Sequence, residues 1–159
     1  MTAEVRKQRL HRLDRIFVRT PIYFVTTCTN NRRAILATRS VHTTFVRFAE
    51  QGIQRGAWLG AYILMPDHFH AFVGFDDQKI QLAAWMKSLK NTLSKMLRFD
   101  GIPGPHWQKG FFDHVLPSEE SYEEKWHYVR ENPVRAGLVT RRQDWPFVGE
   151  IFYLQYYSE

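Results

Sequence analysis

The sequence predicts an α+β fold: a ferredoxin-like, split βαβ sandwich with an antiparallel sheet, plus an added helix towards the C-terminus. Three observations point there. Stretches of alternating and of helical periodicity follow one another in the order strand, helix, strand, strand, helix, strand. The middle two strands are separated by little more than Pro66-Asp67, which makes them a hairpin and puts them side by side in the sheet. Finally, 159 residues with 44% apolar and 15% aromatic content suffice for one domain with a substantial core.

Each element has its own signal. Pro21 to Thr29 alternates and is β-branched and aromatic, as a first strand should be. Asn30-Asn31-Arg32-Arg33 is a polar turn. Ser40 is the expected N-cap of a helix carrying Val41, Phe45, Val46, Phe48 and Ala49 at helical spacing through about Gln54, with Gly56 closing it. Ala57 to Leu64 reads as the second strand and His68 to Phe75 as the third. Asp76-Asp77 should cap a helix near Lys79 to Arg98, whose core stripe is Leu82, Met86, Leu89, Leu93 and Met96. After the loop Gly101-Ile102-Pro103-Gly104-Pro105, His106 to Leu116 reads as a fourth strand interrupted at Gly110. Ser121-Tyr122-Glu123-Glu124 matches a capping box and opens the added helix, which stops at Asn132-Pro133. The remainder is turn-rich, and Trp145, Phe147, Phe152, Tyr153, Tyr156 and Tyr157 predict that it docks on the domain. The expected organisation is a basic arm at 1–19, a domain at 20–140 and a docking tail at 141–159.

Charge narrows the partners. The net charge is +6, and residues 1–19 carry Arg6, Lys7, Arg9, Arg12, Arg15 and Arg19 against only Glu4 and Asp14. A basic arm on a basic domain fits a polyanion, nucleic acid first; a solvated terminus would look the same. Lys87, Lys90, Asn91, Ser94, Lys95 and Arg98 recur at spacings of three and four, either as a track for phosphates or as the wet side of an amphipathic helix. The single cysteine, Cys28, has no internal disulfide partner and sits in a strand-like run, which assigns it a packing role in a reducing compartment. No apolar run is long enough for a membrane span and no secretory signal is recognisable, so cytoplasmic residence is the expectation.

Chemistry concentrates in Met65-Pro66-Asp67-His68-Phe69-His70. On a strand, His68 and His70 share a face while Phe69 takes the other, so two imidazoles stand about 6–7 Å apart on a rigid element, half of a metal site. A solvent-facing strand with two polar residues is the plain alternative. On the added helix Tyr122, Trp126 and Val129 make the apolar stripe, and Tyr128 lies off it with Asn132 one turn further along. A hydroxyl and an amide oxygen arriving together on one helix could complete such a site.

The motif Met65-Pro66-Asp67-His68-Phe69-His70 resembles the HUH motif, two histidines flanking a bulky hydrophobic residue. With Trp107-Gln108-Lys109-Gly110-Phe111-Phe112-Asp113-His114 and Tyr128-Val129-Arg130-Glu131-Asn132-Pro133-Val134-Arg135-Ala136-Gly137-Leu138-Val139, it resembles the single-tyrosine HUH transposases over about residues 20–140, nearest to the REP-associated tyrosine transposase branch.

The resemblance implies a nuclease and strand transferase acting on single-stranded DNA hairpins. His68 and His70 would hold a divalent metal with Asn132 as third ligand, and Tyr128 would form a 5′-phosphotyrosine. Two imidazoles alone would also suit zinc; the resemblance implies Mg2+ or Mn2+. Glu124 or Glu131 could stand in for Asn132 or join it, and His114 and Glu131 are the groups that could help deprotonate Tyr128. Substrate contacts would come from Arg6, Lys7, Arg9, Arg12 and Arg15 of the arm and from Lys87, Lys90, Lys95 and Arg98, with exposed aromatics for stacking. The related enzymes leave monomer and homodimer both open. Two rivals are a non-catalytic hairpin-binding module and a metal-dependent phosphodiesterase that uses water.

Overall fold

The computed structural model describes residues 15–18 and 21–156, the side chains of Arg15, Phe17 and Val18 excepted. Arg6, Lys7, Arg9 and Arg12 therefore lie outside the described residues, and Arg15 is described by its backbone alone. Strand β1 (Arg15–Val18) is followed by β2 (Ile22–Cys28), helix α1 (Arg39–Glu50) and the short α2 (Gly52–Arg55). Then come β3 (Ala57–Leu64), β4 (His68–Phe75), α3 (Leu82–Phe99), β5 (Phe112–Leu116) and α4 (Glu119–Val129). The chain continues with the short α5 (Asn132–Arg135), β6 (Val148–Glu150) and β7 (Tyr153–Tyr156). The main sheet is antiparallel in the order β5-β2-β4-β3-β6, while β1 and β7 form a separate parallel pair. The order β5-β2-β4-β3 is the expected split βαβ arrangement, with the histidine strand β4 central.

Alternation along the strands sorts side chains into two cores. Val25, Phe69, Ala71, Val73 and Phe75 face α1 and α3, meeting Phe45, Trp85, Met86, Leu89 and Leu93. Ile22, Phe24, Phe72 and Leu116 face the other way, under Tyr122 and Val129 of α4. Strand β3 changes phase midway. Ala57 and Leu59 point to the first core, as do Tyr62 and Leu64, while Ala61 and Ile63 belong to the second. A register shift between Leu59 and Tyr62 produces the switch.

That irregularity fixes the added helix. The Ala61 N–H donates to the Tyr122 hydroxyl at 2.9 Å in a buried position, and a Cβ at Gly60 would meet the same oxygen at 2.5 Å. The missing side chain at Gly60 lets the phenol reach the strand, which seats α4 in one register over β3 and β4. Tyr122→Phe leaves that buried N–H unpaired, and the expected loss is about 1–3 kcal/mol, read as a lower urea midpoint at unchanged slope.

Several boundaries differ from the sequence reading. Thr38, not Ser40, caps α1, its hydroxyl accepting from the Val41 N–H at 3.2 Å. Asp76 organises a turn, accepting from the Gln78 N–H, and α3 begins only after Gln81. Its buried stripe is Trp85, Met86, Leu89, Leu93 and Leu97; Leu82 and Met96 are half-buried. The fourth strand is confined to Phe112–Leu116 because Gly110 turns the chain at φ +78°, leaving Trp107 in a lone bridge with Thr29. Ser118 with Ser121 forms the capping box of α4 instead of Ser121 with Glu124, and α4 ends at Val129. Asn132-Pro133 opens α5, where a proline lacking its N–H costs nothing.

Candidate active site

His68 and His70 lie on the α4 side of the sheet with ring centroids 4.9 Å apart. Each ring is oriented through Nδ1. His68 Nδ1 bonds Asp67 Oδ1 at 2.8 Å, and Asp67 Oδ2 is paired with Arg32 Nε at 2.9 Å. His70 Nδ1 bonds Thr26 Oγ1 at 2.8 Å, because Thr26 is its cross-strand partner on β2. Among the described residues no hydrogen bond engages either Nε2, so each ring is tied at one nitrogen and keeps the other available, as metal-binding histidines do. Burial pushes the Asp67 carboxyl up, but hydrogen bonds and charge from His68 and Arg32 outweigh it and hold the carboxyl below its ordinary value.

His70 is kept neutral. Burial first, then the nearby His68 and Lys125 charges, lower it to about 3. A neutral imidazole is the form that ligates a cation. The same shift predicts a pH effect on the metal-free protein. Between the unfolded value near 6.5 and the folded value near 3, the unfolded chain binds the proton and the folded chain does not. Stability from this group is thus fully present above about pH 6.5 and is lost as the pH falls, on the order of 1 kcal/mol per pH unit. Urea midpoints measured in EDTA should drop from pH 6.5 towards 4 more steeply for the natural protein than for His70→Gln.

Helix α4 covers this face. Phe72 packs against Tyr122 and Trp126 at centroid distances of 4.5 and 5.9 Å. Phe24 stacks on His70 at 5.0 Å and 19°, and Lys125 Nζ lies 5.0 Å from the Phe24 ring centroid. One turn beyond Lys125 stands Tyr128, 63% exposed. Its ring carries the Arg135 guanidinium at 4.0 Å, and Arg135 also donates to the Tyr128 carbonyl and to Asn132 Oδ1. The structure thus joins His68 to His70, and Tyr128 to Asn132 through Arg135. Among the described residues the Tyr128 hydroxyl makes no hydrogen bond to either imidazole.

The other candidates fall as follows. Glu124 is exposed and Glu131 pairs with Arg142 at 3.2 Å. His114 is exposed on β5, opposite Phe24. No group of three His, Cys, Asp or Glu side chains suited to a metal occurs among the described residues. Asn132 Oδ1 accepts from Arg135, and an amide oxygen keeps a second lone pair beyond the one so engaged. Cys28 is buried opposite His68, its sulfur accepting from Arg32 at 3.0 Å. Lys87, Lys95 and Arg98 are exposed on α3, on the side of the sheet away from the histidines. Lys90 is instead turned onto the Gln108 and Gly110 carbonyls, and Ser94 is buried against His106 and Trp107. Phe112, 71% exposed, shares a sheet row with Thr26 and His70. A cleft of about 370 Å³ borders α4 and β7, lined in part by Trp126, Arg130, Tyr153 and Gln155.

Sequence reasoning missed Asp67, Thr26, Arg135 and Lys125. Asp67 is legible as the residue before His68, and Lys125 as a cation three residues before Tyr128 among glutamates. Thr26 becomes visible only once the β2–β4 register is known.

The split βαβ sheet with its added helix is the fold of a known class of DNA-mobilising proteins. Residues 18–132 match the family described as transposase IS200 like, and the chain belongs to it. Within that class it is 23% identical to the REP-associated tyrosine transposase of Escherichia coli (strain K12), over 84% of this chain and 78% of that one. It also superposes on a solved REP-associated tyrosine transposase bound to a REP hairpin, with a TM-score of 0.66, 24% identity, and coverage of 84% of this chain and 79% of that one. Among the described residues no helix is long and apolar enough to cross a membrane.

Proposed function

We propose that this chain cleaves and rejoins single-stranded DNA beside REP-like hairpins through a covalent bond to Tyr128. The observation that carries the reading is the pairing of two histidines, each tied through Nδ1, beneath the helix that bears Tyr128. The Tyr128 oxygen attacks the scissile phosphorus, forming a 5′-phosphotyrosine as the bond to the 3′ oxygen breaks; that oxygen takes a proton and leaves as a 3′-hydroxyl. Rejoining is the reverse step, in which a 3′-hydroxyl attacks and the phenol departs. Phenol, with a pKa of about 10, is a good enough leaving group to make that return possible.

His68 and His70 Nε2, with Asn132 Oδ1, would hold Mg2+ or Mn2+. When bound, such a cation offsets charge on the phosphate oxygens. Asp67 and Thr26 would keep the two rings aimed, and Arg135 would hold the Asn132 amide beside Tyr128. Phe112 and the cleft at Trp126 and Arg130 offer stacking and charge to unpaired bases. The exposed cations of α3, and Arg6, Lys7, Arg9, Arg12 and Arg15, would supply salt-sensitive contacts to the backbone as monomer or homodimer.

The test is incubation with a hairpin oligonucleotide labelled on its 3′ side, in Mn2+. The expected product is a labelled protein band that survives denaturation, does not form in EDTA, and is reversed by a strand with a free 3′-hydroxyl. Scission without a band would mean water is the nucleophile, and binding without scission would mean a binding module.

A further inference from the structure

Helix α4 is acidic on its outer side, with Glu119, Glu120, Glu123 and Glu124 all exposed, yet Lys125 turns inward and is only half-exposed. Its ammonium sits over Phe24, which stacks on His70, so cation, ring and imidazole follow in steps of 5.0 Å. Among the described residues Lys125 forms no ion pair, although four carboxylates share its helix. A lysine that merely wanted solvent or a glutamate could have either by rotating outward. Here a cation with no ion-pair partner among the described residues is held on an aromatic face, one ring removed from His70. The ring face attracts the ammonium but accepts none of its hydrogen bonds strongly, so its N–H donors stay available to an anion.

We propose that Lys125 is a further catalytic residue, its ammonium contacting a non-bridging oxygen of the scissile phosphate. The proposal rests on the strand-transfer reading above. Lys125 and Tyr128 are separated by one turn of the same helix, so one rigid element delivers both the nucleophile and a positive charge to the phosphorus. Charge on the phosphate oxygens grows during attack, and a fixed cation in a partly desolvated place stabilises it without rearranging. Because cleavage and rejoining share that transition state, Lys125 acts on both.

The experiment compares Lys125→Met, Lys125→Gln and Lys125→Arg with the natural protein. It uses a single-stranded hairpin oligonucleotide in Mn2+, with single-turnover rates for adduct formation and for rejoining, and with Kd and urea midpoints measured alongside. Methionine keeps the apolar stem over Phe24 and removes the charge. The expected result is a loss of about 100-fold in both rates for Met and Gln, with the ratio of the two rates unchanged, and recovery to within about tenfold for Arg. The Kd should move by less than about threefold, or about 0.6 kcal/mol. Met or Gln at the natural rate would overturn the proposal, as would an equal loss for Arg and Met or a loss confined to Kd. If the natural protein itself forms no adduct, the strand-transfer reading fails first, and the two failures are told apart in one series.

Discussion

Tyr128→Phe is expected to abolish the covalent protein–DNA adduct and to lower strand cleavage by at least about 10⁴-fold, while leaving fold and DNA binding intact. The substitution removes one oxygen from a side chain that is 63% exposed and buries no part of either core. Stability should therefore change by less than about 0.5 kcal/mol. The Arg135 guanidinium can still rest on the phenyl face, so Asn132 keeps its orienting partner. What disappears is the only atom proposed to bond phosphorus. A mechanism with water as nucleophile predicts the opposite, because positioning by a phenol is worth far less than the bond itself. The measurement is adduct yield and scission on the same labelled hairpin; scission persisting within about tenfold of the natural rate would rule out Tyr128 as nucleophile.

How much of this was legible beforehand depends on which residues interact through sequence neighbours and which through the sheet. The hairpin strands Ala57–Leu64 and His68–Phe75 have the predicted limits, since short apolar runs are bounded by Gly56, Pro66 and Asp76. The layering of helices on one face also follows from periodicity. The phase change in β3 does not, because an extra residue at Gly60-Ala61 leaves composition untouched and shows only in which core each side chain enters. Likewise Ser118 and Ser121 both satisfy a cap signature, and only the path of the backbone decides between them. At the site, His68 and His70 are given by spacing on a strand, and Asp67 by adjacency. Thr26 depends on register, 44 residues away in sequence. Lys90 shows the limit of charge periodicity: it repeats with its neighbours on α3, but the loop at Gln108–Gly110 claims it. Burial accordingly pulls its pKa down, the direction expected of an ammonium partly withdrawn from water.

The second large effect separates chemistry from recognition. His68→Ala is expected to lower cleavage by roughly 10²-fold or more while leaving hairpin affinity within about threefold. Affinity for DNA comes mainly from neutralised phosphates, and the exposed cations of α3 lie across the sheet from this ring. Deleting one imidazole therefore leaves the slope of log Kd against log salt unchanged. It also strips Asp67 of a partner but leaves Arg32 at 2.9 Å, so the carboxylate remains paired and the β4 terminus stays anchored. Asp67→Asn provides the graded version: the His68 ring is kept but loses its charged orienting partner, and metal affinity should fall about 10–100-fold. Raising Mn2+ should then recover cleavage for Asp67→Asn and not for His68→Ala, because one variant has a misdirected ligand and the other has none. Equal recovery in both, or a parallel collapse of binding and cleavage with a lowered urea midpoint, would assign these residues to holding the strand together. The geometry argues for the first outcome, since each histidine spends Nδ1 on the protein and keeps Nε2 free.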